Sequence, residues 1–241
     1  MMILEDKLHK NKIKPENNSF SPYNLADPFH GTGATDLPLP QGIARNWDWR
    51  KAQAGNCHPG ACYPMGMVSA CPYSGMYPTG YGVYDLSWEG LPRQILPQNA
   101  MDGITHFHVS GTGNIKNFYN YFKVSALPTE ADVKASLPMV DIIEEFASPG
   151  YYCCLTGNGI VTELTAAENS IAHRYCGANK LVLDITHAGL RLPNDFVSNP
   201  VSEAHEINAN RDAIFGYVVI AGKQIFFWVE CPGADIRLTE T

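Results

Sequence analysis

Apolar and polar residues alternate along much of the chain, which is typical of strands that bury one face. The alternation is clear at residues 104–109, where Ile104, His106 and His108 fall on one face. Residues 119–126 also have the composition of a strand. From residue 147 onward, strand-like runs separated by turns occupy 151–155, 160–167, 170–175, 180–186, 213–221 and 224–231. The pattern predicts β-strands over most of the chain.

Turn signals between these runs predict how the strands pair. Residues 148–150 read Ser-Pro-Gly, residues 156–159 read Thr-Gly-Asn-Gly, and Gly222 with Lys223 separates the last two runs. Strands spaced by about 8–12 residues with such turns predict a two-sheet antiparallel β-sandwich. Within it, the apolar run at 180–186 predicts a central strand, and the polar residues 188–210 predict a loop or a short hairpin.

Helix signals are confined to residues 129–146. Thr129 is a suitable N-cap, and the acidic Glu130 and Asp132 follow it in the first turn. Pro138 would interrupt a helix at that depth, so we expect a short helix or loop and then a separate strand near residues 140–146. The predicted fold class is therefore all-β, with few short helices.

The length and composition allow one sizeable globular domain or two small ones. The 241 residues, 45% of them hydrophobic, can bury a sizeable core. Residues 1–26 are polar and are predicted to form a flexible leader, and residues 27–241 are predicted to form a single domain. An irregular excursion at 34–54 contains Trp47 and Trp49, which either cover the core or stack on a sugar.

The net charge, the apolar runs and the cysteines bear on the partners, the localisation and the disulfide bonds of the protein. A formal net charge of −7 argues against nucleic acid or an anionic membrane as the main partner. Residues 1–20 lack the apolar core of a signal peptide, and no run approaches the roughly 20 apolar residues of a membrane span. The protein is either intracellular or exported by a signal outside this sequence, so its localisation stays open. The seven cysteines form no zinc-type pair. Cys57 and Cys62 could form a disulfide, but free buried thiols in a reducing compartment are the favoured interpretation.

The candidate chemistry lies at residues 103–113, which read Gly-Ile-Thr-His-Phe-His-Val-Ser-Gly-Thr-Gly. His106 and His108 on one strand face would lie about 7 Å apart, close enough to share a ligand or a metal. Zinc or iron would need a third protein ligand. The candidates for it are His58, His173, His187 and His205. Packing and hydrogen bonding is the alternative role of the pair, and the sequence leaves both open.

Five segments, taken in order, resemble one protein family. They are residues 27–32 (DPFHGT), 55–68 (GNCHPGACYPMGMV), 103–113 (GITHFHVSGTG), 147–152 with 161–166 (ASPGYY and VTELTA), and 173–175 with 178–184 (HRY and ANKLVLD). Together they resemble the N-terminal β-sandwich domain of glycoside hydrolase family 92, the calcium-dependent exo-α-mannosidases. The resemblance covers roughly residues 27–232, and the segment at 103–113 is its most specific part.

This resemblance implies a supersandwich of the galactose-mutarotase-like type. It also implies a domain that supports one wall of an α-mannoside pocket and docks on a helical catalytic domain. Four residues would line or brace that interface: His106, His108, Ser110 and Thr112. Tyr81 and Trp88 would offer apolar ring faces to a sugar. The alternative is that the motif only braces the edge of a sheet.

The resemblance bears on activity as well. The family's general acid and general base belong to its helical-barrel domain, and this sequence shows no acidic pair that inherits those roles. We therefore expect no catalytic residue here and no glycosidase activity from this chain alone. The family's calcium is held mainly by the other domain, so we expect no cofactor and no metal in this chain. The aromatic stretch at 77–88 departs from the family's substrate-side loop.

Two different functions are also compatible with the sequence. A stand-alone carbohydrate-binding or assembly module would leave its docking face exposed, unless it formed a homo-oligomer or met another protein. A metal-dependent enzyme would use the His106 and His108 pair with a third ligand. The expected partners are thus a carbohydrate, a helical catalytic domain, or a second copy of the chain.

Overall fold

The computed structural model describes eleven stretches of the chain. They are residues 25–32, 57–64, 66–75, 79–82, 84–86, 92–95, 99–106, 121–129, 137–186, 202–220 and 222–238. The predicted leader at 1–26 lies almost wholly outside these stretches, as do the excursion at 34–54 and residues 130–136, where a short helix or loop was expected.

Fifteen β-strands make up the architecture of the described residues. In chain order they are β1 (Ala61–Cys62), β2 (Ser69–Tyr73), β3 (Tyr84–Leu86), β4 (Pro92–Ile95), β5 (Ala100–Met101), β6 (Gly103–His106), β7 (Tyr121–Leu127), β8 (Val140–Ser148), β9 (Tyr151–Thr156), β10 (Val161–Ala166), β11 (Ile171–Cys176), β12 (Lys180–Asp184), β13 (Ser202–Ala209), β14 (Ala213–Ile220) and β15 (Lys223–Glu230).

These strands form two five-stranded sheets and two smaller ones. The first large sheet has the order β1-β2-β6-β7-β12, and the second has the order β11-β10-β9-β8-β5. A three-stranded sheet, β13-β14-β15, and a two-stranded sheet, β3-β4, complete the set. The strand pairs of the described residues are all antiparallel. The predicted all-β antiparallel class is confirmed.

The main core lies between the two large sheets. The first sheet contributes Ala61, Ala70 and Ile104, and the second contributes Tyr152 and Leu164 among others. Alternation explains this division, because every second residue of a strand points to the same face. Burial of these apolar surfaces is what holds the two layers together, and the predicted two-sheet sandwich is confirmed.

A second core joins the three-stranded sheet to the first large sheet. Val218 and Ile220 of β14 pack with Tyr121 and Phe122 of β7 and with Ile185. The rings of Phe122 and Phe227 lie 5.4 Å apart between their centroids. One face of the three-stranded sheet is therefore buried, and the opposite face points away from the core.

Several local predictions are confirmed. The strand expected near residues 140–146 is β8, which begins after Pro138. The hairpin expected at 156–159 joins β9 to β10, and Gly159 takes the positive φ of 81° that the turn requires. The closing hairpin is formed by β14 and β15.

Two predictions were wrong. One concerns the place of a strand within its sheet, and the other concerns a segment expected to be a loop or short hairpin. The apolar run at 180–186 was expected to be a central strand, but β12 is the edge of the first sheet, and Leu181 is 50% exposed. Its apolar character has another cause, because Leu183 packs against the second core. Residues 202–209 were expected to be part of a loop or short hairpin, but they form the edge strand β13, where Ile207 packs inward and polar neighbours face solvent.

All seven cysteine side chains are free, as the sequence favoured. Cys71 and Cys154 are fully buried, so they fill the core as small apolar side chains. Burial raises the pKa of the Cys154 thiol to about 12 and that of the Cys62 thiol to about 11. These two groups are therefore protonated at neutral pH.

Candidate functional site

The strand that carries His106 is held on both sides by the first sheet. In β6, His106 pairs with Ala70 of β2 and with Tyr121 of β7. The start of this strand needs glycine, because a Cβ on Gly103 would lie 2.8 Å from the carbonyl oxygen of Val124. Gly103 thus allows β7 to approach closely, and it fixes where the following residues lie.

A bulge in β7 places a backbone acceptor beside His106. The register jumps from Ile104↔Val124 to His106↔Tyr121, so β7 has one residue more than β6 over this interval. Phe122 lies in the bulge with φ of 53°, a value that bulky side chains rarely adopt. The carbonyl oxygen of Phe122 contacts Nδ1 of His106. The unusual backbone conformation of Phe122 therefore lies directly beside His106, the first histidine of the candidate motif.

His106 reaches across the sandwich to the second large sheet. Its Nε2 lies 3.0 Å from Nε2 of His173, and the two ring centroids are 5.1 Å apart. Nδ1 of His173 in turn lies 2.8 Å from the hydroxyl of Tyr175. Because His173 and Tyr175 belong to β11, these contacts link the two layers through side chains. We call His106, His173 and Tyr175, with the Phe122 carbonyl, the histidine chain.

The direction of hydrogen bonding in the histidine chain follows from its end group. A carbonyl oxygen can only accept, so Nδ1 of His106 donates to Phe122. A neutral imidazole has one N–H, so Nε2 of His106 accepts from Nε2–H of His173. Nδ1 of His173 must then accept from the Tyr175 hydroxyl. Each group in the chain has one defined role, provided that both rings are neutral.

Burial keeps both rings neutral. It lowers the pKa of His106 to about 4, although the backbone hydrogen bond to Phe122 opposes the shift. Burial, with a smaller contribution from the neighbouring His106, lowers the pKa of His173 to about 3. At neutral pH neither ring carries the second proton that would make it a cation. The histidine chain is therefore an uncharged, directional link.

A buried ion pair braces the same strands. Nζ of Lys123 lies 2.9 Å from Oδ2 of Asp102, and both residues are buried. Asp102 directly precedes β6, and Lys123 follows Phe122 in β7. The ammonium also lies 6.0 Å from the centre of the Tyr73 ring. The pair ties the beginning of the His106 strand to the bulge that contacts its end.

A second polar cluster centres on Glu145 in β8. Its carboxylate accepts from the hydroxyl of Tyr81 at 2.8 Å, from the amide of Asn99 at 2.8 Å and from the hydroxyl of Tyr152 at 2.7 Å. Asn99 also donates to the Tyr81 hydroxyl at 2.9 Å. This carboxylate has three donors from three segments of the chain, which makes it a structural acceptor.

Comparison with known families identifies the class of domain. The family model described as "Glycosyl hydrolase family 92 N-terminal domain" matches residues 25–234. The chain belongs to this family. No individual relative with a curated description matches it. The match includes both sheets, the histidine chain and the Glu145 cluster, so these features belong to a glycoside hydrolase-related domain.

Two of the six residues selected from the sequence lie in the described part of this family 92 domain. His106 is in the histidine chain, and Tyr81 is only 3% exposed, with its hydroxyl on Glu145. His108, Ser110, Thr112 and Trp88 lie outside the described residues. The sandwich thus brings His106 together with His173, one of the histidines considered as a metal partner.

Sequence reasoning missed Tyr175, Phe122, Asn99 and Glu145. The alternation in β11 places Tyr175 on the same face as His173, and that signal was readable. Phe122 gave no signal, because its contribution is a carbonyl group in an unusual conformation. Asn99 and Glu145 come from separate strand regions, and only the folded chain brings them together.

The described residues contain no cluster of metal-ligating side chains. Calcium takes about six to eight oxygen ligands, whereas Asp102 is bonded to Lys123 and Glu145 accepts from two phenols and an amide. Within the described stretches, no group of three or more His, Cys, Asp and Glu side chains is arranged to hold a metal ion. The same stretches contain no helix with the length and hydropathy of a membrane span.

Proposed function

We propose that this family 92 N-terminal domain forms one wall of an α-mannoside pocket that a helical catalytic domain completes. The observation that carries the proposal is the fixed position of His106, at the end of β6, immediately before the segment 107–113. A sugar subsite needs its polar groups held in place, because hydrogen bonds to hydroxyls are directional. The bulge, the ion pair and the histidine chain hold His106 and the end of β6 in such a fixed position.

Within this proposal, His106 is a positioning residue. Both of its ring nitrogens are occupied inside the protein, one by the Phe122 carbonyl and the other by His173. The contacts to sugar hydroxyls then fall to His108, Ser110 and Thr112, whose imidazole and hydroxyl groups both donate and accept. Trp88 would offer a ring face to the sugar.

We further propose that the chain does not hydrolyse mannosides without the catalytic domain. Glycoside hydrolysis uses one carboxyl group as acid and a second as base or nucleophile. Three carboxylates in or beside the two large sheets have structural partners: Lys123 for Asp102, phenols and an amide for Glu145, and Tyr151 with Arg174 for Glu163. These partners support a structural rather than a catalytic role for all three.

An activity assay tests the proposal. The purified 241-residue chain is incubated with 4-nitrophenyl α-mannoside and calcium, alone and mixed with the separately expressed helical domain of a family 92 enzyme. We expect no turnover from the chain alone, and turnover above that of the helical domain alone when the two are mixed. Turnover by the chain alone, or no effect of the chain on the helical domain, contradicts the proposal.

A carbohydrate-binding module that acts without a catalytic domain is the second candidate. The observation that favours it is the exposure of Trp228 on the outer face of the three-stranded sheet, at 60%. Exposed rings on a sheet are suited to stack on sugars. Binding of saccharides by the isolated chain supports this candidate, and its absence contradicts it.

Assembly and metal catalysis are each open to a direct test. Light scattering tests assembly, because a homo-oligomer without ligand supports it and a monomer contradicts it. Elemental analysis of the purified protein tests the metal-dependent enzyme, which requires a stoichiometric transition metal near His106 and His108. A metal content well below one equivalent contradicts that function.

A further inference from the structure

The two faces of the three-stranded sheet differ in what they contact. Ile225 and Phe227 of β15 point inward and pack on the second core with Val218. The alternate residues, Phe226 and Trp228, point outward, where strand pairing places them opposite Tyr217 and Phe215 of β14. The outer face therefore carries two cross-strand aromatic pairs that the core does not use.

Trp228 is both fixed and accessible. Its ring stacks on Phe215, with centroids 4.9 Å apart and an angle of 19° between the planes. Its indole N–H donates to Oε1 of Glu230 at 3.3 Å. These two contacts restrain both side-chain torsions, yet 60% of the residue remains exposed. The exposed ring is thus held in one orientation before any ligand arrives, which lowers the entropy cost of binding.

A pocket of about 260 Å³ opens beside this ring. It is lined by Trp228, by residues 210–213 of the turn between β13 and β14, and by Glu230 and Pro232. Hydrogen bonds within the turn fix its conformation, since Oδ1 of Asn210 accepts from the N–H groups of Asp212 and Ala213. The N–H of Cys231 donates to the carbonyl oxygen of Asp212 at 2.7 Å. The two sides of the pocket are therefore tied together.

The chemistry of the lining selects the class of ligand. Arg211 supplies only donors, whereas the carboxylates of Asp212 and Glu230 supply only acceptors. A hydroxyl group can satisfy both kinds, and a pyranose also has an apolar C–H face that fits an aromatic ring. The lining carries charges of both signs, which disfavours a strongly charged ligand. The volume is below the about 300–1,000 Å³ of sites for drug-sized molecules, which suits a single sugar ring.

From these observations we infer that the pocket between Trp228 and the β13–β14 turn binds one neutral pyranose residue, with its apolar face on the indole and its hydroxyls on Arg211, Asp212 and Glu230. This inference names the site and ligand class of the second candidate function and rests on it. The site lies on the sheet face opposite the one that packs on Phe122. The lining of the inferred site is formed by residues of this chain.

Saturation-transfer NMR on the isolated chain tests the site, with methyl α-mannopyranoside, methyl β-glucopyranoside and methyl β-galactopyranoside as probes. We expect saturable binding of at least one probe. Trp228→Ala should weaken that binding by about tenfold or more, because the stacking surface is lost. Glu230→Gln, which keeps the shape and removes the charge, should weaken it by about threefold to tenfold.

Phe226→Ala is the matched control, since Phe226 lies on the same face of the same strand but outside the pocket lining. We expect it to change the affinity by less than about twofold. Binding that survives Trp228→Ala overturns this site and leaves a carbohydrate-binding function intact. Absence of binding to all three probes overturns both. A monomer produced from an oligomer by Trp228→Ala, without sugar binding, also overturns the site, because the ring then serves an interface.

Discussion

The interior of the sandwich contains polar side chains, whereas the outer face of the three-stranded sheet carries exposed aromatic rings. This contrast is the reverse of the usual distribution of side chains. Between the large sheets, imidazole, phenol and carboxylate groups are buried or half-buried, and each is placed by hydrogen bonds to defined partners. On the outer face, the rings of Phe226 and Trp228 are exposed, Trp228 stacked on Phe215 and Phe226 tilted against Tyr217. The comparison teaches that the interior polar groups link strands of the two large sheets, whereas the exposed rings lie outside both core clusters. Buried polar groups destabilise a fold unless they are paired.

The largest expected effect comes from breaking the histidine chain at its centre. His106→Phe fills similar space but removes the hydrogen bonds that His106 makes with the Phe122 carbonyl and with the N–H of His173. We expect a loss of about 2–4 kcal/mol in the free energy of unfolding, measured by urea denaturation. His205→Ala, at an exposed position of β13, is the control and should change it by less than about 0.5 kcal/mol. Equal effects of the two variants would contradict the structural role of the chain.

The next-largest effect is expected from replacing Phe227 on β15, and the replacement of its neighbour Phe226 serves as the comparison. Phe227 packs on Phe122, so Phe227→Ala should cost about 2–3 kcal/mol, somewhat less than a fully buried phenylalanine. Phe226 is on the other face, so Phe226→Ala should cost less than about 0.5 kcal/mol. Urea denaturation measures both. A larger cost for Phe226→Ala would show that the outer face is structural.

The third effect is a dependence of stability on pH. The folded pKa values of His106 and His173 are lowered to about 4 and about 3, so the unfolded chain binds protons first as the pH falls below about 6.5. Their contribution is therefore full above about pH 6.5, decreases as the pH falls, and levels off below the folded pKa values. Both rings should therefore lower the unfolding free energy in the same direction as the pH falls through that window.

His173→Gln sharpens this test, because an amide can still donate and accept but does not titrate. The unfolding free energy of the variant, measured at pH 7, 6 and 5, should fall less steeply than that of the unaltered chain, by about one ring's contribution. Identical slopes would mean that His173 is not held neutral in the folded state.

The smallest effect comes from the end of the histidine chain. Tyr175→Phe removes the hydroxyl that donates to His173, which should cost about 1 kcal/mol. Tyr217→Phe removes a hydroxyl from the outer face and should cost less than about 0.5 kcal/mol. If thermal and urea unfolding show no difference between the two, Tyr175 does not belong to the chain of donors.

Local pattern predicts most strands of this domain but not their neighbours. Alternation and turn residues locate β9, β10, β14 and β15, because both signals depend on adjacent residues. The edge position of β12 depends on pairing with β7, which lies far earlier in the chain. The sequence therefore indicates a strand at 180–184 without indicating its place in the sheet.

The candidate site was predictable only in part, for a similar reason. His106 is prominent in the sequence because a second histidine follows it two residues later. Its partner His173 lies 67 residues away, so the sandwich and not the local pattern brings them together. Phe122 is hidden for a different reason, since no propensity rule anticipates a phenylalanine at positive φ.

The central claim is that a neutral, directional hydrogen-bonded chain joins the two sheets and fixes the strand that carries His106. The ¹⁵N chemical shifts of the two histidine rings at pH 7, from long-range ¹H–¹⁵N correlation spectra, test it most directly. We predict a protonated Nδ1 and an unprotonated Nε2 for His106, and the opposite pattern for His173. A protonated Nε2 on His106, or two protonated nitrogens on either ring at that pH, would contradict the claim.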